Sequence, residues 1–214
     1  MLFKDYKIEE FLEDLSSNSP SPGGGSTAAL VAGLSGCLNN MVYSLTINKK
    51  AFNTLSEENK CKMVSLEKEC KEFIANCIEF MEEDRTCFNK LMDCYKLPKD
   101  TEIEQIHRKK ELKSKTYDAM LSPLKVCREC VKFYNNIEFA TEYGNKMLVS
   151  DAGVAASLLH AAVESSVINV KVNLNSLRGE EFFNEVESEM NSLLNESRAK
   201  KENILNIVNE HIYK

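Results

Sequence analysis

Ser19-Pro20-Ser21-Pro22-Gly23-Gly24-Gly25-Ser26 sets two prolines and a triple glycine directly against the small and apolar run Thr27–Leu38. Prolines at this point end any preceding helix, because the ring clashes with a continuing helical turn and removes a backbone donor. Three glycines admit positive φ and let a ligand approach the backbone without side-chain obstruction, and Ser26 is placed to cap a helix that follows. A helix N-terminus built in this way offers free N–H groups to an anion. An ordinary capped helix behind a flexible linker carries the same signature. No strand pattern precedes the glycines and no Lys-Ser/Thr pair follows them, which excludes the dinucleotide fingerprint and the P-loop.

The remainder of the chain reads as an all-α bundle of about six helices, several of them long, with small-residue helices at its centre. The spacing predicts a short helix over Ile8–Leu15, with Ile8, Phe11, Leu12 and Leu15 on one face. It predicts a second from Ser26 to about Asn48, whose Ala28, Ala29, Ala32, Gly33, Gly36 and Cys37 would let neighbouring helices come close. A third runs from Glu57 to Tyr95, and a fourth from Thr101 to Glu142 with a bend expected at Pro123. After the turn Gly144-Asn145-Lys146, Ser150 or Asp151 is placed to cap a fifth helix that reaches about Leu177. The last, Glu180–Tyr213, alternates charged and apolar residues as an outer helix does. With 214 residues and no composition shift or linker that demands a division, residues 1–214 are expected to form one domain.

A formal charge of −6 argues against general nucleic-acid binding, which needs clustered Lys and Arg. The start MLFKDYKIEE lacks an apolar signal-peptide core, so the eight cysteines are read as reduced thiols in a cytoplasmic protein rather than as a disulfide scaffold. Cys127 and Cys130 make one CxxC within a helical pattern, with no second pair to complete a zinc site. No apolar run approaches the ~20 residues that span a bilayer, so no membrane partner is expected.

The apolar stripe of the third helix can be followed through Met63, Leu66, Cys70, Phe73, Cys77 and Met81, and then through Asp84 to Phe88, Leu91 and Met92. An acid therefore falls on the seam, while Glu79, Glu82 and Glu83 lie off it. A carboxyl there must be paired or must hold its proton through a raised pKa, and both conditions are enriched at catalytic sites. A structural Asp bonded to a neighbouring helix fits the same pattern. On the fifth helix Ser165, Asn169 and Asn173 recur at four-residue intervals. Amides so spaced can read the edge of a heterocycle or bond the backbone of a facing helix. His107 sits in the charged stretch EIEQIHRKKELKSK and reads as a surface residue, and the spacing of His160 and Glu164 reads as a surface pair.

Taken together, Ser-Pro-Ser-Pro-Gly-Gly-Gly-Ser-Thr-Ala-Ala at 19–29, Asp84 with Phe88, Leu97-Pro98-Lys99, Gly144-Asn145, Ser150-Asp151, Val154-Ala155-Ala156 and Asn169-Val170 through Asn173-Leu174 resemble the cyclodeaminase family of folate enzymes. That family includes the C-terminal half of formiminotransferase-cyclodeaminase and stand-alone methenyltetrahydrofolate cyclohydrolases. The pieces occur in family order over most of the chain. The resemblance implies an all-helical homodimer acting on a tetrahydrofolate derivative, with Asp84 as catalytic acid/base and no cofactor or metal. It places Pro22, Gly23, Gly24, Gly25 and Ser26 of the loop, and Asn145 and Asp151 of the turn, on the folate pocket. Asn169 and Asn173 join them as candidate substrate contacts.

The implied reaction is the closure of 5-formiminotetrahydrofolate to 5,10-methenyltetrahydrofolate with loss of ammonia. The cyclohydrolase alternative opens the methenyl bridge with water to give 10-formyltetrahydrofolate. A non-catalytic helical folate-binding or interaction protein is the alternative of another class. The transferase half of the bifunctional enzyme has no counterpart in the sequence, which leaves a separate formiminotransferase as a conceivable partner. The anionic glutamate tail of a folate, polyglutamylated or not, calls for local cations in an acidic chain, and Lys49, Lys50, Lys99 and Lys146 stand near the matching motifs.

Overall fold

The structure, a computed structural model, describes residues 1–213. Among them are seven α-helices and two short 3-10 turns, and no strand. Helix α1 covers Ile8–Leu15, α2 Gly24–Ser44, α3 Lys50–Asn53, α4 Glu57–Tyr95, α5 Glu102–Tyr143, α6 Val149–Asn175 and α7 Phe183–Ile212. The 3-10 turns are Phe3–Asp5 and Lys146–Leu148. Six of the helices match the sequence reading. The short α3 was not foreseen: α2 stops at Ser44, Asn48 takes a left-handed φ of 61°, and the chain makes one further helical turn before α4.

Two long helices set the frame. Ser56 caps α4 by accepting from the Asn59 N–H, and Thr101 with Glu104 forms a capping box on α5. Helices α4, α5 and α7 form one layer, on which α2 lies against α4 and α5 while α6 lies against α5 and α7, side by side with α2. The small residues explain how the layers close. A Cβ at Gly36 would stand 2.9 Å from the Cγ1 of Ile74 and 3.0 Å from the ring of Phe73, so α2 reaches α4 only as glycine. Ala28, Ala29 and Ala32 on α2, and Ala152, Ala155, Ala156 and Ala162 on α6, are likewise buried. Cys37 is not part of that face; it points outward and is exposed.

Inside the frame a polar network ties three helices. Asn39 Nδ2 donates to Asn136 Oδ1 at 2.9 Å, Asn136 Nδ2 to the Leu66 carbonyl at 3.2 Å, and the Tyr43 hydroxyl to the Asn136 carbonyl at 2.6 Å. His160, read from sequence as a surface residue, is buried instead. Its Nδ1 lies 2.8 Å from Ser197 Oγ on α7, and Glu164 lies 3.5 Å from its Nε2. Burial lowers its pKa, since the charged imidazolium is the form that desolvation disfavours. His107 is exposed, as the sequence suggested.

All eight cysteines are free thiols, with Cys127 and Cys130 buried in the core. One segment, 146–175, is long and apolar enough by composition to cross a membrane, contrary to the sequence estimate, but it packs against α2, α5 and α7 as a core helix does. The faces of α2 and α6 turned away from the other layer carry Leu34 and Leu45, and Val154, Ile168 and Val172, all exposed.

Candidate functional site

The first turn of α2 meets α4 at Asp84. Helix α2 begins at Gly24 with Gly23 as its N-cap, so Ser26 lies inside the first turn rather than capping it. From there Ser26 Oγ donates to Asp84 Oδ2 at 2.9 Å and also lies 3.2 Å from the Met81 carbonyl. The triple glycine serves this contact and not a left-handed turn, for Gly23 has φ −135° and, among the described residues, the positive-φ glycine is Gly179. A Cβ placed on Gly25 would fall 1.9 Å from Asp84 Oδ1, inside the carboxylate itself. Glycine at 25 is therefore the condition for Asp84 to sit where it does.

Asp84 opens on a cavity of about 380 Å³ at the junction of α2, α4, α5 and α6. The loop contributes Pro20, Ser21 and Gly23 to Gly25; α4 contributes Asp84, Phe88, Leu91, Met92 and Tyr95 on one face. Thr116 and Ala119 of α5 and Asn169, Val172 and Asn173 of α6 close the opposite wall. Phe88 and Met92, expected on the buried stripe of α4, are only partly buried because they form this wall. An apolar lining with a few convergent polar groups is the common form of a small-molecule site.

Burial raises the pKa of Asp84, and the hydrogen bonds from the Ser26 hydroxyl and backbone N–H partly offset that rise. The positive end of the α2 dipole pulls in the same direction as those hydrogen bonds. The net direction is upward, which favours the protonated acid relative to an exposed Asp.

The amides of α6 use their nitrogens on backbone. Asn169 Nδ2 donates to the Ser165 carbonyl at 2.9 Å. Asn173 Nδ2 donates to the Asn169 carbonyl and, at 3.1 Å, to the Ala119 carbonyl of α5. The second bond has a cause in the sequence: Pro123 has no N–H to give to Ala119, four residues before it, and α5 runs through that proline as one helix. Asn173 satisfies the carbonyl that Pro123 leaves free. Each amide carbonyl oxygen remains as an acceptor at the cavity wall.

Not every expected residue reaches the cavity. Pro22 is buried beneath the loop, and Ser26 acts through Asp84. Asn145 and Asp151 lie at the far end of α2, where the Asn145 N–H donates to Thr46 Oγ1. That end is on the order of 30 Å from Gly24, at 1.5 Å per helical residue. Asn145 caps the 3-10 turn by accepting from the Met147 N–H, and α6 starts behind Leu148 without a side-chain cap, so neither Ser150 nor Asp151 caps it. Lys49 and Lys50 share this remote end, and Lys146 donates to the carbonyls of Thr141 and Glu142. Sequence reasoning missed Ser21, Tyr95 and Thr116 as cavity residues. Of these, Ser21 carries the clearest sign, a buried hydroxyl without a hydrogen-bond partner beside the cavity. Among the described residues no three His, Cys, Asp or Glu side chains converge as a metal site requires.

A family model described as formiminotransferase-cyclodeaminase matches residues 7–192. The chain belongs to the formiminotransferase-cyclodeaminase family. Within that family it is 33% identical over 208 residues to the methenyltetrahydrofolate cyclohydrolase of Methylorubrum extorquens, which covers 96% of this chain and 97% of the relative. It is 28% identical over 195 residues to the formimidoyltransferase-cyclodeaminase of Rattus norvegicus, spanning 91% of this chain and 35% of that longer protein. The crystal structure of formiminotetrahydrofolate cyclodeaminase from Thermotoga maritima superposes with a TM-score of 0.78 at 26% identity, covering 97% of this chain and 96% of that one.

The Gly25–Asp84 contact predicts a reversal of the usual glycine rule. Gly→Ala within a helix ordinarily stabilises by ~0.5–1 kcal/mol. Gly25→Ala should instead destabilise by about 1–3 kcal/mol in urea unfolding, as overpacked sites do. In an Asp84→Ala background the same change should become neutral or stabilising, and equal effects in both backgrounds would show that the two residues do not compete for space.

Proposed function

We propose that this chain is a formimidoyltetrahydrofolate cyclodeaminase that closes the carbon bridge between N5 and N10 of tetrahydrofolate, with Asp84 as its proton carrier. The observation that carries the reading is a carboxyl with a raised pKa at the end of a cavity of small-molecule size. N10 attacks the formimino carbon and forms a tetrahedral centre that holds N5, N10 and the departing nitrogen. That nitrogen leaves as ammonia only once it is protonated, and an acid whose pKa is raised by burial is suited to supply the proton. The carboxylate left behind is stabilised by Ser26 and can take up the proton that N10 loses. The free carbonyl oxygens of Asn169 and Asn173 suit the N–H donors of a pterin, while Phe88, Leu91 and Met92 offer the apolar surface its ring needs. Holding N10 against the carbon adds the proximity component. The step as written requires no cofactor.

The cyclohydrolase reaction is the second reading, favoured by the relative of that name that matches over nearly its whole length. It uses the same bridged carbon and the same carboxyl, with water in the position of ammonia. One assay separates the two. With 5-formiminotetrahydrofolate, cyclodeaminase activity appears as rising methenyltetrahydrofolate absorbance with equimolar ammonia. With 5,10-methenyltetrahydrofolate offered in a second cuvette, cyclohydrolase activity alone appears as loss of methenyl absorbance above the spontaneous rate, with no rise in the first. Asp84→Asn should lower kcat by roughly 10²–10⁴-fold, the range of general acid–base catalysis. Turnover unaffected by that change would remove Asp84 from the chemistry, and no turnover of either substrate would favour a non-catalytic folate-binding protein.

The working unit in this reading is a homodimer. Exposed apolar side chains stand on both central helices, Leu34 on α2 and Val154, Ile168 and Val172 on α6, and α2 contains no charged residue. A two-fold axis across the middle of these helices would place the 145–151 turn of one protomer beside the partner's cavity. Asn145 and Asp151 would enter the folate site by that route. Asp84→Asn and Asp151→Asn chains, each inactive alone, should then regain about a quarter of wild-type activity when co-expressed, because half of the dimers carry one intact site. A monomer in solution, or no recovery on mixing, would contradict this arrangement.

A further inference from the structure

Pro123 is buried in the interior of α5, a helix that continues through it from Glu102 to Tyr143. A proline inside a helix acts on the residue four positions before it. It gives that residue's carbonyl no N–H, and its ring presses the carbonyl outward. Here the carbonyl belongs to Ala119, which lines the Asp84 cavity, whereas Pro123 itself does not. The oxygen is taken by Asn173 Nδ2 at 3.1 Å, and the same nitrogen donates at 3.1 Å to the Asn169 carbonyl. Carbonyl oxygens accept and never donate, so the Asn173 amide has one orientation: turned over, its Oδ1 would face two other oxygens. Asn169 holds one carbonyl, that of Ser165 on its own helix. Of the two amide oxygens at the cavity wall, that of Asn173 is thus fixed from both α5 and α6.

We propose that Pro123 is a positioning residue for substrate recognition: by releasing the Ala119 carbonyl to Asn173, it fixes Asn173 Oδ1 as an acceptor for an N–H of the pterin ring. This role rests on the folate reading of the Asp84 cavity. Proline is the least favourable residue for a helix interior, so α5 gives up stability one turn away from the wall of the site. With any other residue at 123, its N–H would bond Ala119 and draw the carbonyl back onto the axis of α5. Asn173 would then be held from α6 alone, and a bound pterin would have to order the amide itself.

Pro123→Val restores the N–H while keeping most of the ring's bulk, and Pro123→Ala restores it without that bulk. Thermal unfolding and calorimetric titration with tetrahydrofolate, applied to both variants, to Asn173→Ala and to Pro123→Ala/Asn173→Ala, test the role without depending on turnover. The Pro123 variants should unfold no earlier than the wild type, since other residues suit a helix interior better. They should bind tetrahydrofolate about three- to tenfold more weakly, the scale of one hydrogen bond. Asn173→Ala should lose at least as much, and the double variant no more than Asn173→Ala, because the proline acts only through that amide. In turnover the Pro123 variants should raise KM and not lower kcat, as for a contact held equally in ground and transition states. Wild-type affinity in both Pro123 variants, losses that add in the double variant, or a fall in kcat alone would overturn the proposal and leave the folate reading standing. Earlier unfolding of both Pro123 variants would also overturn it, since the proline would then serve the core. No binding of tetrahydrofolate by the wild-type protein would overturn this proposal and the folate reading together.

Discussion

The carboxyl of Asp84 rests on the bare backbone of Gly25, and much of the molecule is arranged so that this contact can exist. Helix α2 must begin without side chains, must lie close to α4, and must keep Ser26 on the inner face of its first turn. Gly36, two to three turns further on, serves the same approach by admitting the ring of Phe73 and the side chain of Ile74. The buried Asn39–Asn136–Leu66 network holds α2, α4 and α5 at one fixed depth, since a shift of any one of them strands polar groups. The site is thus positioned by helix packing, while the loop before it supplies a wall.

Opposed electrostatic effects meet at that contact. The N-terminus of α2, with its unpaired N–H groups and the Ser26 hydroxyl, favours a carboxylate, whereas the apolar surroundings favour the neutral acid. Burial prevails, so the carboxyl is drawn toward its acid form while the anion remains well supported. A group that exchanges a proton during turnover needs both forms within reach. A neighbouring cationic cavity, with Lys99, Arg108 and Arg178 on its wall, lies beyond Tyr95 and Thr116, so no lysine or arginine lines the cavity of the acid itself.

Much of this was legible in the sequence, and for identifiable reasons. Asp84 stood out because a carboxyl on a stripe of apolar residues breaks a strong helical period. The core faces of α2 and α6 were visible because Ala and Gly at helical spacing have few other uses. The glycines were seen, but for a different purpose, because close approach and positive φ select the same residue. Asn173 illustrates another limit: its bond to Ala119 depends on a proline 50 residues earlier in the chain, and only the packing of α6 on α5 connects them. His160 looked like a surface residue because its i, i+4 pairing with Glu164 is a surface pattern, while Ser197 on α7, which it bonds, is remote in sequence. The basic cavity was invisible for the same reason, as Arg178 joins Lys99 and Arg108 only after α4, α5 and the end of α6 converge.

The central claim is that Asp84 is an acid held in readiness and not a cap for α2. Titrating its carboxyl directly, by carbon-13 NMR with selective Asp labelling and Asp84→Asn for assignment, tests this most closely. The account predicts a midpoint above the ordinary Asp value of ~3.9, moving higher still in Ser26→Ala as the hydrogen bond that favours the anion is lost. A midpoint at or below that ordinary value would mean that the helix terminus prevails over burial, and Asp84 would then be a structural carboxylate.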